Sequence, residues 1–182
     1  MEFALLGEKL GHSFSPQIHR ALAGCDYQLL PTPPEAVADL FRRRDFRGLN
    51  VTIPYKQTVM PLCDEIDPRA AAIGAVNTVV NRGGRLTGYN TDIDGLIYLA
   101  RRTGVDMAGK KVVILGSGGT GRTARAAAGE LGAAEIVTVS RGGEDNYETL
   151  SRHAAAQVLL NTTPVGMYPN CGVSPVSLDA FP

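Results

Sequence analysis

The sequence predicts an α/β protein with two domains in series: an N-terminal α/β domain over residues 1–103 and an incomplete parallel-sheet domain over residues 104–182. Three observations carry this. Short apolar runs alternate with helical patterns along the chain, the arrangement that lays helices over a mostly parallel sheet. Val112-Val113-Ile114-Leu115 is apolar throughout, as a strand buried on both faces is, and it runs directly into Gly116-Ser117-Gly118-Gly119-Thr120-Gly121. Between Gly104 and Gly109 the periodicity breaks, which makes that stretch the best domain boundary.

Phe3 to Leu6 reads as a short buried strand. Gly11-His12-Ser13-Phe14-Ser15-Pro16 follows, then a helix from Gln17 to Ala23, with Ser15 as a natural N-cap and Pro16 as a natural first helical residue. Two readings of the serines stay open: Ser15 only caps, or the Ser13 and Ser15 hydroxyls together hold a carboxylate beside the helix donors. Tyr27 to Leu30 is the next strand, and Pro33-Pro34 opens a helix through Arg44 with Val37, Leu40 and Phe41 on one face. The run Arg42-Arg43-Arg44-Asp45 reads as a solvated helix end.

Leu49-Asn50-Val51-Thr52-Ile53 alternates, which puts Val51 and Ile53 on one face and Asn50 and Thr52 on the other. Pro54 is expected to start a helix with Lys56 in its first turn. The dipole there disfavours a charged ammonium; a surface lysine tolerates this at small cost, and a lysine that exchanges protons gains from it. Ala75 to Val80 and Arg85 to Tyr89 flank Asn81-Arg82-Gly83-Gly84 as a hairpin. In Asn90-Thr91-Asp92-Ile93-Asp94, Thr91 and Asp94 have capping-box spacing, and a helix runs to about Arg102. Asp92 falls in its first turn, where a carboxylate is favoured whether or not it also does chemistry.

The glycine turn has G-x-G-x-x-G spacing between a strand and the helix formers Arg122 to Ala128. Gly116 permits the tight turn, Gly118 lets the backbone approach a pyrophosphate, and Gly121 lets helix pack on strand. The helix start adds unpaired N–H donors and the positive end of its dipole. Glu135 to Arg141 is the next strand. Where an NAD site offers a carboxylate to the ribose 2′-hydroxyl, this sequence offers Ser140 and Arg141, which suit a 2′-phosphate and point to NADP. Glu144 and Asp145 nearby oppose that by repelling a phosphate. A helix around Tyr147 to Ala155 and a strand from Gln157 to Asn161 are expected to complete a mononucleotide-binding half. Thr162 to Pro169 reads as a loop, and most of the second half is missing.

Lys plus Arg and Asp plus Glu both number 18, so the formal net charge is zero and nothing favours nucleic acid or an anionic membrane as partner. The three cysteines, Cys25, Cys63 and Cys171, are dispersed without C-x-x-C spacing, which argues against a disulfide framework or a zinc site and for the cytoplasm. The opening Phe3-Ala4-Leu5-Leu6 is too short for a signal peptide, and no window approaches a membrane span.

Taken in order, Gly11-His12-Ser13-Phe14-Ser15-Pro16, Asn50-Val51-Thr52-Ile53-Pro54-Tyr55-Lys56, Gly74-Ala75-Val76-Asn77-Thr78, Asn90-Thr91-Asp92, Gly116-Ser117-Gly118-Gly119 and Asn161-Thr162-Thr163-Pro164-Val165-Gly166-Met167 resemble shikimate dehydrogenases. The resemblance spans the chain and is specific as a set. It implies an N-terminal substrate domain and a partial Rossmann NADP-binding domain, with the phosphate loop facing Lys56 across a cleft. It also implies NADPH-dependent reduction of 3-dehydroshikimate to shikimate in aromatic amino-acid synthesis. By motif it makes Ser13 and Ser15 carboxylate binders and Thr52, Asn77 and Asp92 substrate hydrogen-bonders. Lys56 becomes the catalytic lysine; because a proton must reach the ketone oxygen as the alcohol forms, Lys56 and Asp92 are expected to act as a catalytic pair. Gly116, Ser117, Gly118, Gly119 and Thr120 become the phosphate loop, and Ser140 and Arg141 the start of the 2′-phosphate site.

Two features depart from the family's pattern. Gly142-Gly143-Glu144-Asp145 stands where a second basic residue is usual, and relatives continue past Pro182, so the resemblance implies a fragment with little activity alone. Some relatives are fused to shikimate kinase, which leaves room for such a partner downstream. The competing readings are an NAD-using quinate/shikimate dehydrogenase and a non-catalytic module that binds shikimate or nucleotide.

Overall fold

The computed structural model describes residues 1–11, 13–179 and 181; His12 of the first motif lies outside the described residues. The chain divides into two compact units, Met1–Thr91 and Asp92–Pro182.

In the first unit, β1 (Phe3–Gly7), β2 (Tyr27–Pro31), β3 (Gly48–Val51), β4 (Glu65–Ile66), β5 (Thr78–Arg82) and β6 (Arg85–Tyr89) form one sheet in the order β2-β1-β3-β5-β6-β4. β1 is parallel to both β2 and β3, and the direction reverses at β3–β5. The β5–β6 hairpin closes through Gly83 and Gly84, both at positive φ (60° and 90°), the conformation a two-residue turn between twisted strands requires. α1 (Ser15–Ala23), α2 (Pro34–Arg43) and α3 (Pro68–Ile73) complete the unit. The core gathers Leu6, Val37, Leu49, Val51, Val79 and Leu86 with their neighbours.

Several local expectations change. α1 begins at Ser15 itself; Ser13 Oγ, not Ser15, accepts the first helical N–H, from Ser15 at 3.2 Å. β3 ends at Val51, and Ile53 is 53% exposed rather than sharing the buried face with Val51. No α-helix follows Pro54. Residues 53–59 are turns leading to a 3₁₀ segment, Met60–Leu62. The Lys56 carbonyl, which a helix would use internally, instead accepts the Val76 N–H at 2.7 Å.

The arginine run is only partly a solvated helix end. Arg44 closes α2 in the left-handed conformation and turns its guanidinium onto both carboxylate oxygens of Asp64 (2.8 Å each) and onto the Gly84 carbonyl. Sequence reading also passed over β4 and α3, although Asp67-Pro68 is a cap followed by a first-turn proline. The Asp67 carboxylate accepts from the Arg69 and Ala70 N–H groups.

Asp64 is held below the ordinary carboxylate range, first by the hydrogen bond from Arg44 and then by the Leu86 N–H. A depressed carboxyl adds stability above its unfolded value and loses it as pH falls through the folded one. Asp64→Asn is therefore expected to flatten the fall of Tm with acidification below about pH 4. Thermal melts across that range check this, and parallel curves for both proteins would refute it.

In the second unit, α4 (Asp92–Arg102) and α5 (Gly119–Glu130) accompany β7 (Lys111–Leu115), β8 (Glu135–Val139) and β9 (Val158–Asn161). The sequence placed the boundary at 103/104, but α4 belongs here. Its Ala100 and Leu96 pack with Met107, Val112, Ile114 and Ala124. Gly104 (φ 72°) ends that helix, and the following Val105 N–H returns to the Ala100 carbonyl. The glycine that looked like a linker is a helix stop.

The sheet order is β8-β7-β9, all parallel. β9 thus pairs on the far side of β7 and does not complete the first mononucleotide half as the sequence suggested. In the order 3-2-1-4-5-6 it takes the place of strand 4. Among the described residues no strand lies outside β8. β9 suits a central position because both its faces are apolar: Val158 and Leu160 join the cluster around Ile114, and Leu159 joins the one around Val113. The helix expected over Tyr147 to Ala155 is only a 3₁₀ turn, Leu150–His153. The Asn146 side chain accepts the Glu148 and Thr149 N–H groups (2.9 and 3.1 Å), an Asx turn that competes with helix. No helix among the described residues is long and apolar enough to cross a membrane.

Candidate active site

In the first unit the polar motifs gather at one end of the sheet. β1 and β3 end there, β5 starts there and β6 ends there, because β5 runs against β3 and β6 runs back. The Ser13 and Ser15 hydroxyls at the start of α1 lie 3.1 Å apart, both half-buried. They are close enough to meet the two oxygens of one carboxylate. Thr52 follows β3 and is tied to β1 through its N–H to Leu6 (2.9 Å).

Lys56 sits in the turn beyond, half-buried. Its backbone is fixed on both sides. Tyr55 is buried with its hydroxyl on the Thr32 carbonyl (2.6 Å), and the Lys56 carbonyl holds Val76. That second bond brings the Lys56 turn beside the segment leading to Asn77.

Asn77 is 7% exposed, and a chain of hydrogen bonds orients it. Its Oδ1 accepts the Thr91 N–H (2.8 Å), and its Nδ2 donates to Thr91 Oγ1 (3.0 Å). Thr78 Oγ1 donates to Asn77 Oδ1 (3.1 Å) and accepts from Asn50 Nδ2 (3.1 Å), while Asn50 Oδ1 accepts from the Tyr27 hydroxyl (2.8 Å). Burial, and secondarily Cys25, pushes the Tyr27 hydroxyl up to about 12, so it stays a donor. The sequence singled out Asn50 only as a polar strand face and did not mark Thr78 or Tyr27. Their alternation in strands was the available signal. Asp92 follows Thr91 directly and opens α4.

In the second unit the strand-to-helix turn has the shape a dinucleotide needs. A Cβ on Gly121 would lie 2.1 Å from the Gly116 carbonyl oxygen, so α5 approaches β7 as only glycine allows. A Cβ on Gly118 would meet nothing within 4 Å, and Ser117, Gly118 and Thr120 are exposed. The open backbone there fits a phosphate cradle. Thr162 braces the turn from β9, donating to the Leu115 carbonyl (2.7 Å).

A small cavity of about 160 Å³ beside the turn is lined by Ser117, Gly121, Arg122, Arg125 and Thr138. Its two arginines were missed from sequence, although Arg122 is a cation at a helix start, as unexpected there as Lys56 seemed to be. A larger cavity of about 390 Å³ opens at the carboxyl ends of β7 and β9, lined by Leu115, Leu159, Asn161, Val165 and Val176 among others. This is the switch-point crevice where open α/β sheets take ligands. Ser140 is half-buried just past β8, and Arg141 is exposed. Among the described residues no three His, Cys, Asp or Glu side chains gather as a metal site.

A polar sheet end carrying a lysine, in one chain with the glycine turn of a dinucleotide fold, fits a nicotinamide-nucleotide-dependent oxidoreductase. Residues 5–79 match the family model described as the shikimate dehydrogenase substrate binding domain. A shikimate dehydrogenase (NADP(+)) of a Geobacillus strain is 37% identical over 97% of this chain and 73% of its own. The chain belongs to the shikimate dehydrogenase family. Among solved structures, shikimate dehydrogenase 1 of Peptoclostridium difficile superposes with a TM-score of 0.89 at 39% identity, covering 97% of this chain and 71% of that one. The Thermus thermophilus enzyme, in complex with NADP(H) and shikimate, gives 0.85 at 33% identity over 100% and 75%.

Proposed function

We propose that the protein catalyses the NADPH-dependent reduction of 3-dehydroshikimate to shikimate in aromatic amino-acid synthesis. The observation that carries this reading is the placement of Ser13, Ser15, Thr52, Lys56 and Asn77 around one end of the first unit's sheet, with their backbones fixed by hydrogen bonds.

The paired serine hydroxyls hold the substrate carboxylate. Thr52 and Asn77 bond the ring hydroxyls, and Asp92 accepts from a hydroxyl. As the ketone becomes an alcohol, negative charge develops on its oxygen, and Lys56 Nζ donates the proton that quenches it. Serine, threonine and asparagine do not titrate usefully, so none of them replaces the lysine as donor. When bound, NADPH supplies the hydride. Gly116, Ser117, Gly118, Gly119 and Thr120 hold its phosphates, and Ser140 with Arg141 holds the ribose 2′-phosphate.

The NADP assignment rests on Arg141 standing where a 2′-hydroxyl would want an acid. Arg141→Ala is expected to weaken NADP⁺ binding about tenfold and NAD⁺ binding less than twofold, read by calorimetric titration of both nucleotides. Equal loss for both, or none, removes Arg141 from the 2′-phosphate site.

A further inference from the structure

Past β8 the chain carries two acids, Glu144 and Asp145, that oppose a 2′-phosphate, and the structure deals with one of them. The loop closes tightly on itself: the Ser140 N–H donates to the Asp145 carbonyl (3.1 Å) and the Gly143 N–H to the Ser140 carbonyl (3.4 Å). Asp145 therefore sits across one turn from Ser140, within side-chain reach of any phosphate held by Ser140 and Arg141. Its carboxylate instead meets His153 Nε2 at 2.7 Å. His153 ends the 3₁₀ turn and is 8% exposed. A carboxylate only accepts, so Nε2 is the donor. His153 Nδ1 is buried with no hydrogen-bond partner among the described residues, so Asp145 is the ring's one hydrogen-bonded contact there. A buried imidazole with half its polar capacity unused is costly to keep unless the contact it does make matters.

We infer that His153 is a positioning residue for cofactor choice: it draws the Asp145 carboxylate inward, away from the 2′-phosphate site, and so lets a loop with acidic residues accept NADP. The inference rests on the NADP reading above. Without the imidazole, Asp145 turns outward toward a phosphate that is close to doubly charged. Two such groups a few ångströms apart at a surface cost about tenfold in affinity.

The test titrates the full chain with NADP⁺ and with NAD⁺. His153→Leu is expected to weaken NADP⁺ about tenfold and leave NAD⁺ within twofold. His153→Gln, whose amide also donates, stays near the parent for both. Asp145→Ala in the parent changes NADP⁺ affinity less than twofold, because the carboxylate is already withdrawn, yet in the His153→Leu background it restores NADP⁺ binding. Equal weakening of both nucleotides by His153→Leu, or failure of Asp145→Ala to rescue, overturns the proposal. So does a tenfold gain from Asp145→Ala alone, which needs no histidine variant to fold. A parent protein that binds NAD⁺ as tightly as NADP⁺ overturns the NADP reading itself and this proposal with it.

Discussion

Replacing Lys56 with alanine is expected to lower kcat for NADPH-dependent ketone reduction by 10²–10⁴-fold, with a smaller change in KM. The size follows from the general-acid role proposed for Lys56. The cleanness of the experiment follows from the local structure. Lys56 is fixed through its backbone: its carbonyl holds the Val76 N–H, and its neighbour Tyr55 is anchored on Thr32. Alanine keeps those bonds and removes the ammonium together with its methylene stem. A binding cation would show a different pattern, with KM raised and kcat intact, and that result would demote Lys56 to a substrate clamp. Asp92→Asn keeps the side chain's size and removes its charge. It is expected to lower kcat, measured in the same steady-state assay.

The second large effect is expected at Gly121. A methyl group there would fall 2.1 Å from the Gly116 carbonyl oxygen, and both sides of that contact are backbone. No rotamer relieves it, so α5 must move away from β7. Gly121→Ala should cost about 3 kcal/mol of stability and weaken NADP⁺ at least 100-fold, because the helix start and the turn are displaced together. Gly118→Ala is the control. Its methyl meets no protein atom within 4 Å and its φ of −71° suits alanine, so the melting temperature should hold while NADP⁺ binding falls. Thermal melts and nucleotide titrations on both variants decide it. A Gly121→Ala protein as stable as the parent would mean that the helix–strand approach is not the reason for that glycine.

What the sequence made legible was what short-range rules govern. Val112 to Leu115 had to be buried on both faces, and β7 is. Asn81 to Gly84 had to turn, and the two glycines do so at positive φ. The errors came where a distant group takes over a backbone bond. Nothing near Lys56 announces that Val76 claims its carbonyl, so Pro54 looked like the start of a helix. Gly104 looked like a linker because helix stops and domain linkers use the same residue. The pairing of β9 with the far side of β7 is a choice among partners, and strand pattern reports burial but not neighbour. Ser13, Ser15, Thr52, Lys56 and Asn77 were singled out through the resemblance of their motifs, and the structure sets the Ser13 and Ser15 hydroxyls side by side and ties Asn77 to Thr91. Arg122 and Arg125, which line the small cavity beside the glycine turn, were passed over because each also makes sense as ordinary helix surface.

The central place of β7 has a consequence for the timing of assembly. A chain made from its N-terminus can pair β8 with β7 as soon as the α5 crossover has formed, so the glycine turn exists early. The brace on that turn comes much later: Thr162 reaches back across 47 positions to the Leu115 carbonyl. Until β9 has been synthesised and docked, Gly116 lacks the hydroxyl that fixes its neighbour's carbonyl. A ribosome-bound chain stalled before Val158 would therefore carry the nucleotide motif without the finished turn. The brace on the nucleotide turn therefore comes after the pairing of β7 with β8, when β9 docks.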